Sequence, residues 1–288
     1  MNRILIIGCG DVAKRTVPLL RGRYRLYGLL RDPARCSTWR TLGVTPILAD
    51  LDQPTSLHRL AGLADIVLHL APPPTQGTGD RRTQALMAAL SRGTPPSRFI
   101  YISTSGVYGD CNGDWVNETR PTQPQTARAE RRVAAEKWVR EWATRHHVHA
   151  SILRVPGIYA ADRLPVERLR AGTPAIVASE DSYTNHIHAD DLARVIVATL
   201  RYGRPNRIYH ASDDSELKMG EYFDAVADAF HLPRPQRISR TQAQSTLSPM
   251  LLSFMQESRR LDNARLKREL KFRLNYPTVA DTLLANME

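Results

Sequence analysis

Cysteine, lysine and long apolar runs are all scarce in this sequence of 288 residues. The three cysteines, Cys9, Cys36 and Cys111, form no CxxC pair and no metal-ligand spacing, which indicates a reducing compartment. Apolar runs such as residues 4–7 and 66–68 fall far short of the roughly 18 residues that a membrane helix needs. The strand-like run near the N-terminus leaves no room for a signal peptide. We therefore expect a soluble cytoplasmic protein with no membrane partner and no bound metal.

Positive charge, in contrast, is abundant, although only 5 of the 40 basic residues are lysines. Against 29 acidic residues the formal charge is +11, and the excess is +9 in residues 1–150 but +2 in residues 151–288. A basic half suits an anionic ligand such as a phosphate, an anionic substrate or nucleic acid, while a solvated arginine-rich surface is the simpler explanation of most of it. The chain has no RGG repeat, zinc finger or helix-turn-helix pattern, which disfavours a nucleic-acid partner.

Short apolar, β-branched runs alternate with helix-like stretches over the first half of the chain. The predicted strands are Arg3–Ile7, Arg25–Leu30, Thr45–Leu48, Ile66–Leu70, Phe99–Ser103 and His149–Arg154. The first five are spaced by roughly twenty-four residues, enough for a strand, a helix and two short loops. Runs that are apolar on both faces are typical of a parallel sheet covered by helices on each side. We therefore predict an α/β fold with a Rossmann-type, doubly wound parallel sheet.

After Arg154 this alternation is interrupted by prolines, and a further strand-like run follows only at Arg207–His210. We predict a dinucleotide-binding domain in residues 1–155, with a returning segment at about 186–212. Residues 156–185 and 213–288 would then form a smaller, mostly helical part that binds substrate.

The clearest motif is the GxGxxA pattern at the end of the first strand and the start of a helix. The first glycine permits a tight turn, the second lets a pyrophosphate approach the backbone, and the small third residue lets helix and strand pack closely. Amides at the helix N-terminus face the anion. The residues predicted here to bind the cofactor are Gly8, Gly10, Asp11, Val12 and Ala13.

The end of the second strand bears on the choice of cofactor. Enzymes that prefer NAD usually have a carboxylate there, which accepts hydrogen bonds from the ribose hydroxyls. This chain has Arg31, with Arg35 close behind, and an arginine suits the 2′-phosphate of NADP. Asp32 follows at once, so Asp32 as a ribose ligand with Arg31 in solvent is the alternative. We expect NADP, with NAD as the alternative.

Taken with these motifs, the chain resembles the short-chain dehydrogenase/reductase superfamily, in its extended or atypical NAD-dependent epimerase/dehydratase branch. The resemblance is carried by Ala49–Leu51, Leu68–Pro72, Ser103–Gly109 (S-T-S-G-V-Y-G), Leu153–Tyr159 and Ile187–Ala193 (I-H-A-D-D-L-A). It implies further cofactor contacts at Asp50, Leu51, Leu70, Ala71, Pro72 and Pro156. The resemblance covers most of the chain and implies a nicotinamide-cofactor enzyme.

One family feature is missing, namely the Tyr-x-x-x-Lys pair that transfers protons. Alignment on the Ala134–Glu136 run puts Arg128 at the tyrosine position and Arg132 at the lysine position, and no Tyr-x-x-x-Lys occurs anywhere in the sequence. Arginine does not release its proton at accessible pH, so Arg128 cannot act as general acid or base. Arg132 can still donate hydrogen bonds to a nicotinamide ribose. This departure resembles the atypical YeeZ-like branch of the family.

Two interpretations of Arg128 follow. It can anchor an anionic substrate or effector, with Thr104 as a second contact. Alternatively, Arg128 and Arg132 form surface ion pairs with Glu130 or Glu136 on their own helix. Thr104 stands at the position of the family's catalytic Ser/Thr, where its hydroxyl either polarises the substrate or caps the strand end.

Other groups could replace the missing tyrosine, but no spacing selects among them. They are Tyr108, Tyr159, Tyr183, His186 and Glu118. We expect His188, Asp190 and Asp191 to hold parts of the fold together rather than to bind metal, because their spacing gives no complete ligand set.

The sequence therefore favours an NADP-dependent oxidoreductase or epimerase, with Thr104, Arg128 and Arg132 at the reacting end. Its small-molecule substrate would be anionic or nucleotide-linked. The alternative is a cofactor-binding sensor or interaction protein without turnover, one that touches nucleic acid through its basic half. For the assembly we expect a monomer or a homodimer.

Overall fold

The computed structural model describes residues 1–248, 251–252 and 255–285. The strands in these residues are β1 (Arg3–Ile7), β2 (Arg25–Leu30), β3 (Val44–Leu48), β4 (Ile66–His69), β5 (Arg98–Thr104), β6 (Trp115–Val116), β7 (His149–Val155), β8 (Gly157–Tyr159), β9 (Ala175–Ile176), β10 (Tyr183–Thr184), β11 (His186–His188), β12 (Arg207–His210), β13 (Leu217–Lys218), β14 (Arg237–Ile238) and β15 (Arg260–Leu261). The α-helices are α1 (Asp11–Leu20), α2 (Cys36–Thr41), α3 (Arg81–Leu90), α4 (Ala127–Arg145), α5 (Val166–Arg170), α6 (Ala189–Tyr202), α7 (Met219–Ala229), α8 (Arg240–Thr246), α9 (Ala264–Glu269) and α10 (Val279–Ala285). Short 3-10 helices lie at Pro33–Arg35, Pro54–Leu60, Ser105–Tyr108 and Ala161–Arg163.

Seven strands form one parallel sheet in the spatial order β12-β7-β5-β4-β1-β2-β3. Each predicted strand of this sheet is present, with its ends shifted by at most one residue. The order runs outward from β1 in both directions, so the strand order reverses between β1 and β4. In open sheets of this kind, ligands bind outside the carboxyl ends of the strands at such a reversal. The predicted doubly wound α/β fold is confirmed.

Strand β1 shows why these residues form the centre of the sheet. Ile4 and Ile6 are fully buried in the apolar layer on one face, whereas Leu5 and Ile7 are fully buried in the layer on the other. Successive side chains of a strand point to opposite faces, so a run of branched apolar residues buries both. Full burial of each such side chain stabilises the fold by about 1.5–3 kcal/mol.

A third apolar cluster lies among the later elements, around Tyr159, Ile176, Phe223, Val226 and Val279. The helices there are accompanied by strand pairs of two or three residues, such as β8 with β11 and β9 with β14. The returning strand β12 pairs with β7 in the main sheet. This clustering agrees with the predicted division of the chain, which stays a prediction. No helix among the described residues is long and apolar enough to cross a membrane.

Candidate functional site

The turn between β1 and α1 has two glycines with different roles. Gly8 has φ of +96°, and a Cβ there would lie 2.4 Å from the backbone nitrogen of Ala71. The fold itself therefore requires Gly8. Gly10 has φ of −104°, and a Cβ built on it meets nothing within 4 Å. Because neither backbone conformation nor packing requires a glycine at Gly10, its missing side chain leaves room for a ligand.

The N-terminus of α1 fits an anion beside that turn. Gly10 is the N-cap residue and has no side chain to cap the first amides of the helix. Those amides and the helix dipole attract negative charge. The side chain of Asp11 is already held, since its Oδ2 accepts from Arg15 at 3.0 Å and from Arg163 at 3.2 Å. These residues fit the pyrophosphate of a dinucleotide.

At the end of β2 the three charged residues are used differently. Asp32 caps the next turn, with its Oδ1 accepting from the amide of Ala34 at 2.9 Å. Arg35 donates from Nη2 to the carbonyl of Cys9 at 2.6 Å, which holds the glycine turn in place. Arg31 is exposed, and its charge helps Arg82 to lower the pKa of Asp52. Arg31 thus remains available to a ligand at the end of β2.

The other residues predicted to contact the cofactor fall into two groups. The side chains of Ala13 and Leu51 are buried in the apolar layers, so that only their backbone can meet a ligand. Ala71 packs its backbone on Gly8, and Asp50 accepts from the amide of Asp52 at 2.9 Å. The second group, Val12, Leu70, Pro72 and Pro156, lines a large cavity in the centre of the molecule.

That cavity has a volume of ≈ 940 Å³ and opens at the carboxyl ends of β5 and β7. One wall comes from α4 and the 3-10 turn after β5, and another from α5, β8 and α7. The predicted Thr104, Arg128 and Arg132 all line it. The structure therefore brings together the three residues that the sequence analysis placed at the reacting end.

Thr104 takes the capping role of the two that were considered for it. Its Oγ1 accepts a hydrogen bond from the amide of Gly106 at 3.2 Å and so caps the turn after β5. An accepting hydroxyl keeps its own proton for donation. Because Thr104 lines the cavity, that O–H can be directed at a substrate oxygen.

Arg132 bonds across the ends of the strands. Its Nη1 donates to the Tyr101 hydroxyl at 2.9 Å and to the carbonyl of Ile102 at 2.8 Å. The surface ion pair between Arg132 and Glu136 considered above is wrong. Glu136 instead accepts from Arg154 and from the Ser103 hydroxyl, which lie in the protein interior. On a helix, i,i+4 spacing brings two charges near each other. Glu136 nevertheless binds Ser103 and Arg154, because these strand residues reach it in the protein interior.

Arg128 lies in a cluster of positive charge that extends beyond the sequence prediction. Burial lowers the pKa of Arg128, the nearby Glu257 carboxylate raises it, and the guanidinium groups of Arg132, Arg131 and Arg259 lower it further. Arg131 and Arg259 are buried, and each has an Nε without a hydrogen-bond partner among the described residues. Four arginines and one carboxylate, Glu257, therefore line this part of the cavity, and their net positive charge suits an oxyanion.

Sequence reasoning missed Arg131, Arg259 and Glu257. Arg259 and Glu257 lie over a hundred residues beyond Arg128 and reach the cavity because the segment after residue 255 returns to the turn after β5. Ser258 donates its amide to Asp110 there at 2.8 Å. No local pattern marks this long-range contact.

The candidates for the missing tyrosine divide into two sets. Tyr159, Tyr183 and His186 line the cavity. Tyr108 and Glu118 instead belong to buried contacts on the other side of β5 and β7, where they bond to His210. Burial lowers the pKa of His186 to about 4, so this imidazole is neutral near pH 7. Its Nδ1 has no hydrogen-bond partner in the described part of the chain.

The residues that were expected to join parts of the fold do so. Asp191 accepts from the amides of Asn275 and Tyr276 at 2.9 and 2.8 Å, and the His188 ring stacks on Tyr276 with centroids 3.8 Å apart. In the described residues, no group of His, Cys, Asp or Glu side chains has the arrangement of a metal site.

The chain and its fold are similar to those of known proteins. The model of the NAD dependent epimerase/dehydratase family matches residues 4–212. A conserved protein of unknown function from Silicibacter pomeroyi superimposes with a TM-score of 0.84 and 28% identity, covering 100% of this chain and 98% of that one. A dTDP-glucose 4,6-dehydratase from Streptomyces venezuelae, solved with NAD bound, gives a TM-score of 0.79 at 20% identity, covering 99% and 95%.

A curated relative is the human dTDP-D-glucose 4,6-dehydratase, which is 25% identical over 130 residues, or 42% of this chain and 37% of the relative. The match thus spans well under half of that relative's length. The chain belongs to the NAD dependent epimerase/dehydratase family. The predicted family is confirmed. The YeeZ-like branch stays a prediction.

Proposed function

We propose that this protein is an NADP-dependent oxidoreductase or epimerase/dehydratase-type enzyme whose substrate carries an oxyanion. The observation that carries the proposal is the cavity at the carboxyl ends of β5 and β7, which combines Thr104 with a cluster of arginines beside the glycine turn. Family membership supports the cofactor class, and the charge of the cavity supports the anionic substrate.

The cofactor would be held by the first half of the chain. The amides at the start of α1 and the space over Gly10 suit the pyrophosphate, while Arg31 suits a 2′-phosphate. The bound dinucleotide supplies a centre that accepts or donates hydride. Because Asp32 already caps the turn after β2, the structure supports Arg31, and with it NADP, over Asp32 and NAD.

The substrate would be positioned by the second group of residues. Arg128 cannot transfer a proton, but its planar guanidinium can hold a carboxylate or phosphate in a fixed orientation. The Thr104 hydroxyl would donate to the substrate oxygen at the reacting carbon. Arg132, fixed at the ends of β4 and β5, would stabilise negative charge beside it.

The test is a turnover assay with a matched pair of variants on α4. The protein is incubated with NADPH or NADP⁺ and a panel of hydroxy acids, oxo acids, sugar phosphates and nucleotide sugars, and products are followed by mass spectrometry and nicotinamide absorbance. Arg128→Ala should abolish turnover and anion binding while NADP affinity and thermal stability stay nearly unchanged. Arg140→Ala, at an exposed position of the same helix, should behave as the parent.

Two results would refute parts of the proposal. If NADP binds but no compound in the panel is converted, the cofactor-binding sensor without turnover becomes the better description, and the absence of the Tyr-x-x-x-Lys pair explains it. If Arg128→Ala loses NADP affinity instead of anion affinity, Arg128 belongs to the dinucleotide site.

A further inference from the structure

A further arginine lines the same cavity from a different wall. Arg168 lies on the short helix α5, half-buried, with its guanidinium carbon 5.6 Å from the centre of the Phe223 ring. Burial lowers the pKa of Arg168, and no carboxylate contributes to raise it again. Within the described residues the Arg168 side chain forms no ion pair and donates no hydrogen bond.

The carboxylates nearby are already committed to other partners. Glu167, the neighbouring residue on α5, pairs with Arg170 at 2.6 Å. On α7, which packs against α5, Asp224 pairs with Arg237 at 2.6 Å. Asp181 accepts from the amides of Gly220 and Ser182 at 2.7 and 2.8 Å. Arg168 is therefore a half-buried guanidinium without an acceptor among the described residues, and its partial loss of hydration is not offset by a partner.

We propose that Arg168 binds a second oxyanion, a carboxylate or a phosphate, on the substrate of this cavity. The substrate then carries two anionic groups, one at the arginine cluster around Arg128 and the other at Arg168. The rings of Phe223 and Tyr222 form an apolar floor beside the second group. This inference rests on the proposed function, since it assigns the same cavity to a substrate.

The two walls of the cavity differ in charge, which is the physical reason to expect two separate anion positions. The cluster of Arg128, Arg131, Arg132 and Arg259 contains its own carboxylate, Glu257, whereas no carboxylate in the described part of the chain pairs with Arg168. An anion at Arg168 gains a charge-assisted hydrogen bond in surroundings poorer in water than the surface. It also gives the guanidinium an acceptor, which none of the described residues supplies.

The experiment locates anions directly and compares two variants of α5. Crystals of the full chain are soaked in sodium bromide, and bromide is located by its anomalous scattering. We expect one peak at the Arg128 cluster and another at Arg168, and Arg168→Met should lose only the second. Arg170→Met, which removes an exposed arginine from the same helix, should keep both peaks. Competing soaks with sodium phosphate or sodium malonate show whether a phosphate or a carboxylate displaces the bromide at Arg168.

Thermal unfolding distinguishes this role from a structural one, because removal of a structural arginine would lower the Tm. Arg168→Met keeps the apolar stem and removes a charge without an acceptor, so its Tm without ligand should equal or exceed that of the parent. Phosphate should raise the Tm of the parent by several degrees more than that of the variant, which keeps only the anion position at the Arg128 cluster. A parent crystal without bromide at Arg168, or a variant that loses several degrees of Tm, overturns the inference. A peak at Arg168 without one at the Arg128 cluster would instead refute the anion site that the proposed function assigns to Arg128. The inference about Arg168 would then still hold.

Discussion

Arg154 of β7 and Glu136 of α4 form a buried, two-point ion pair, with Nη2 to Oε2 at 2.6 Å and Nε to Oε1 at 3.1 Å. Their side chains are only 4% and 7% exposed. The Arg154 guanidinium also donates to the Tyr108 hydroxyl at 2.6 Å. This pair fixes α4, which carries the cavity arginines, against the sheet.

Breaking that pair should destabilise the fold strongly. Glu136→Gln leaves the Arg154 charge buried without a counterion, which costs about 3–5 kcal/mol. On the same helix, Glu141 pairs at 3.9 Å with Lys137 at the surface, and Glu141→Gln should cost less than about 1 kcal/mol. Urea unfolding of both variants measures the difference. Equal losses would show that the buried pair contributes no more than the surface one.

The two glycines of the first turn should separate stability from binding. Gly8→Ala places a Cβ against the backbone of Ala71 at a positive φ, so this variant should unfold several degrees earlier or fail to accumulate. Gly10→Ala has room for its Cβ and should keep its Tm. It should nevertheless bind NADP at least tenfold more weakly, as calorimetry would measure. Unchanged NADP affinity in Gly10→Ala would place the pyrophosphate elsewhere.

The preference for NADP should depend on Arg31. We expect the parent to bind NADP(H) at least tenfold more tightly than NAD(H), which corresponds to about 1.4 kcal/mol and is a modest demand on one charge-assisted contact. Arg31→Asp should reverse the order. Isothermal titration of both nucleotides against both proteins is the measurement, and equal affinities in the parent would refute the assignment.

Three buried histidines should make the protein sensitive to mild acid. Burial lowers the pKa of His69 to about 3, of His186 to about 4 and of His210 to about 3. The unfolded chain takes up these protons near pH 6.5, so between about pH 6.5 and 4 the unfolded state binds more protons than the folded state. The free energy of unfolding should therefore fall as pH is lowered through this range.

Urea unfolding between pH 7 and pH 4.5 checks this dependence. Each histidine contributes up to about 1.4 kcal/mol per pH unit. His186→Phe keeps an aromatic ring against Tyr222 and should reduce the slope by about one proton. A free energy of unfolding that stays constant over this range would contradict the prediction.

Asp213 should have the opposite dependence on pH. Burial raises the pKa of this carboxyl to about 7, so between about pH 4 and 7 the folded state holds a proton that the unfolded state has released. Stability from this group is therefore lost as pH rises towards 7. Asp213→Asn keeps the Oδ1 that accepts from Ser215 and should stabilise the protein at pH 8 by about 2 kcal/mol or more. Near pH 4 the gain should vanish; a loss at both pH values would contradict this.

The sequence alone determined the sheet and the glycine turn to which we assign the cofactor. Continuous apolar runs such as residues 4–7 are buried on both faces when they lie in a parallel sheet. The local spacing of the glycines determines the turn that contains Gly8 and Gly10. Thr104, Arg128 and Arg132 could be placed because each lies within a short motif or at a fixed helical spacing from one.

Tertiary structure alone decided the partners of these residues and the composition of the opposite walls. Glu136 lies one helical turn from Arg132, yet it pairs with Arg154, because a desolvated charge requires the partner that the sheet brings to it. Arg259, Glu257 and Arg168 come from segments far along the chain, and their contacts with the cavity depend on loop closure and packing. No period or motif in the sequence encodes such long-range contacts, so the second half of the site appears only when the chain is folded.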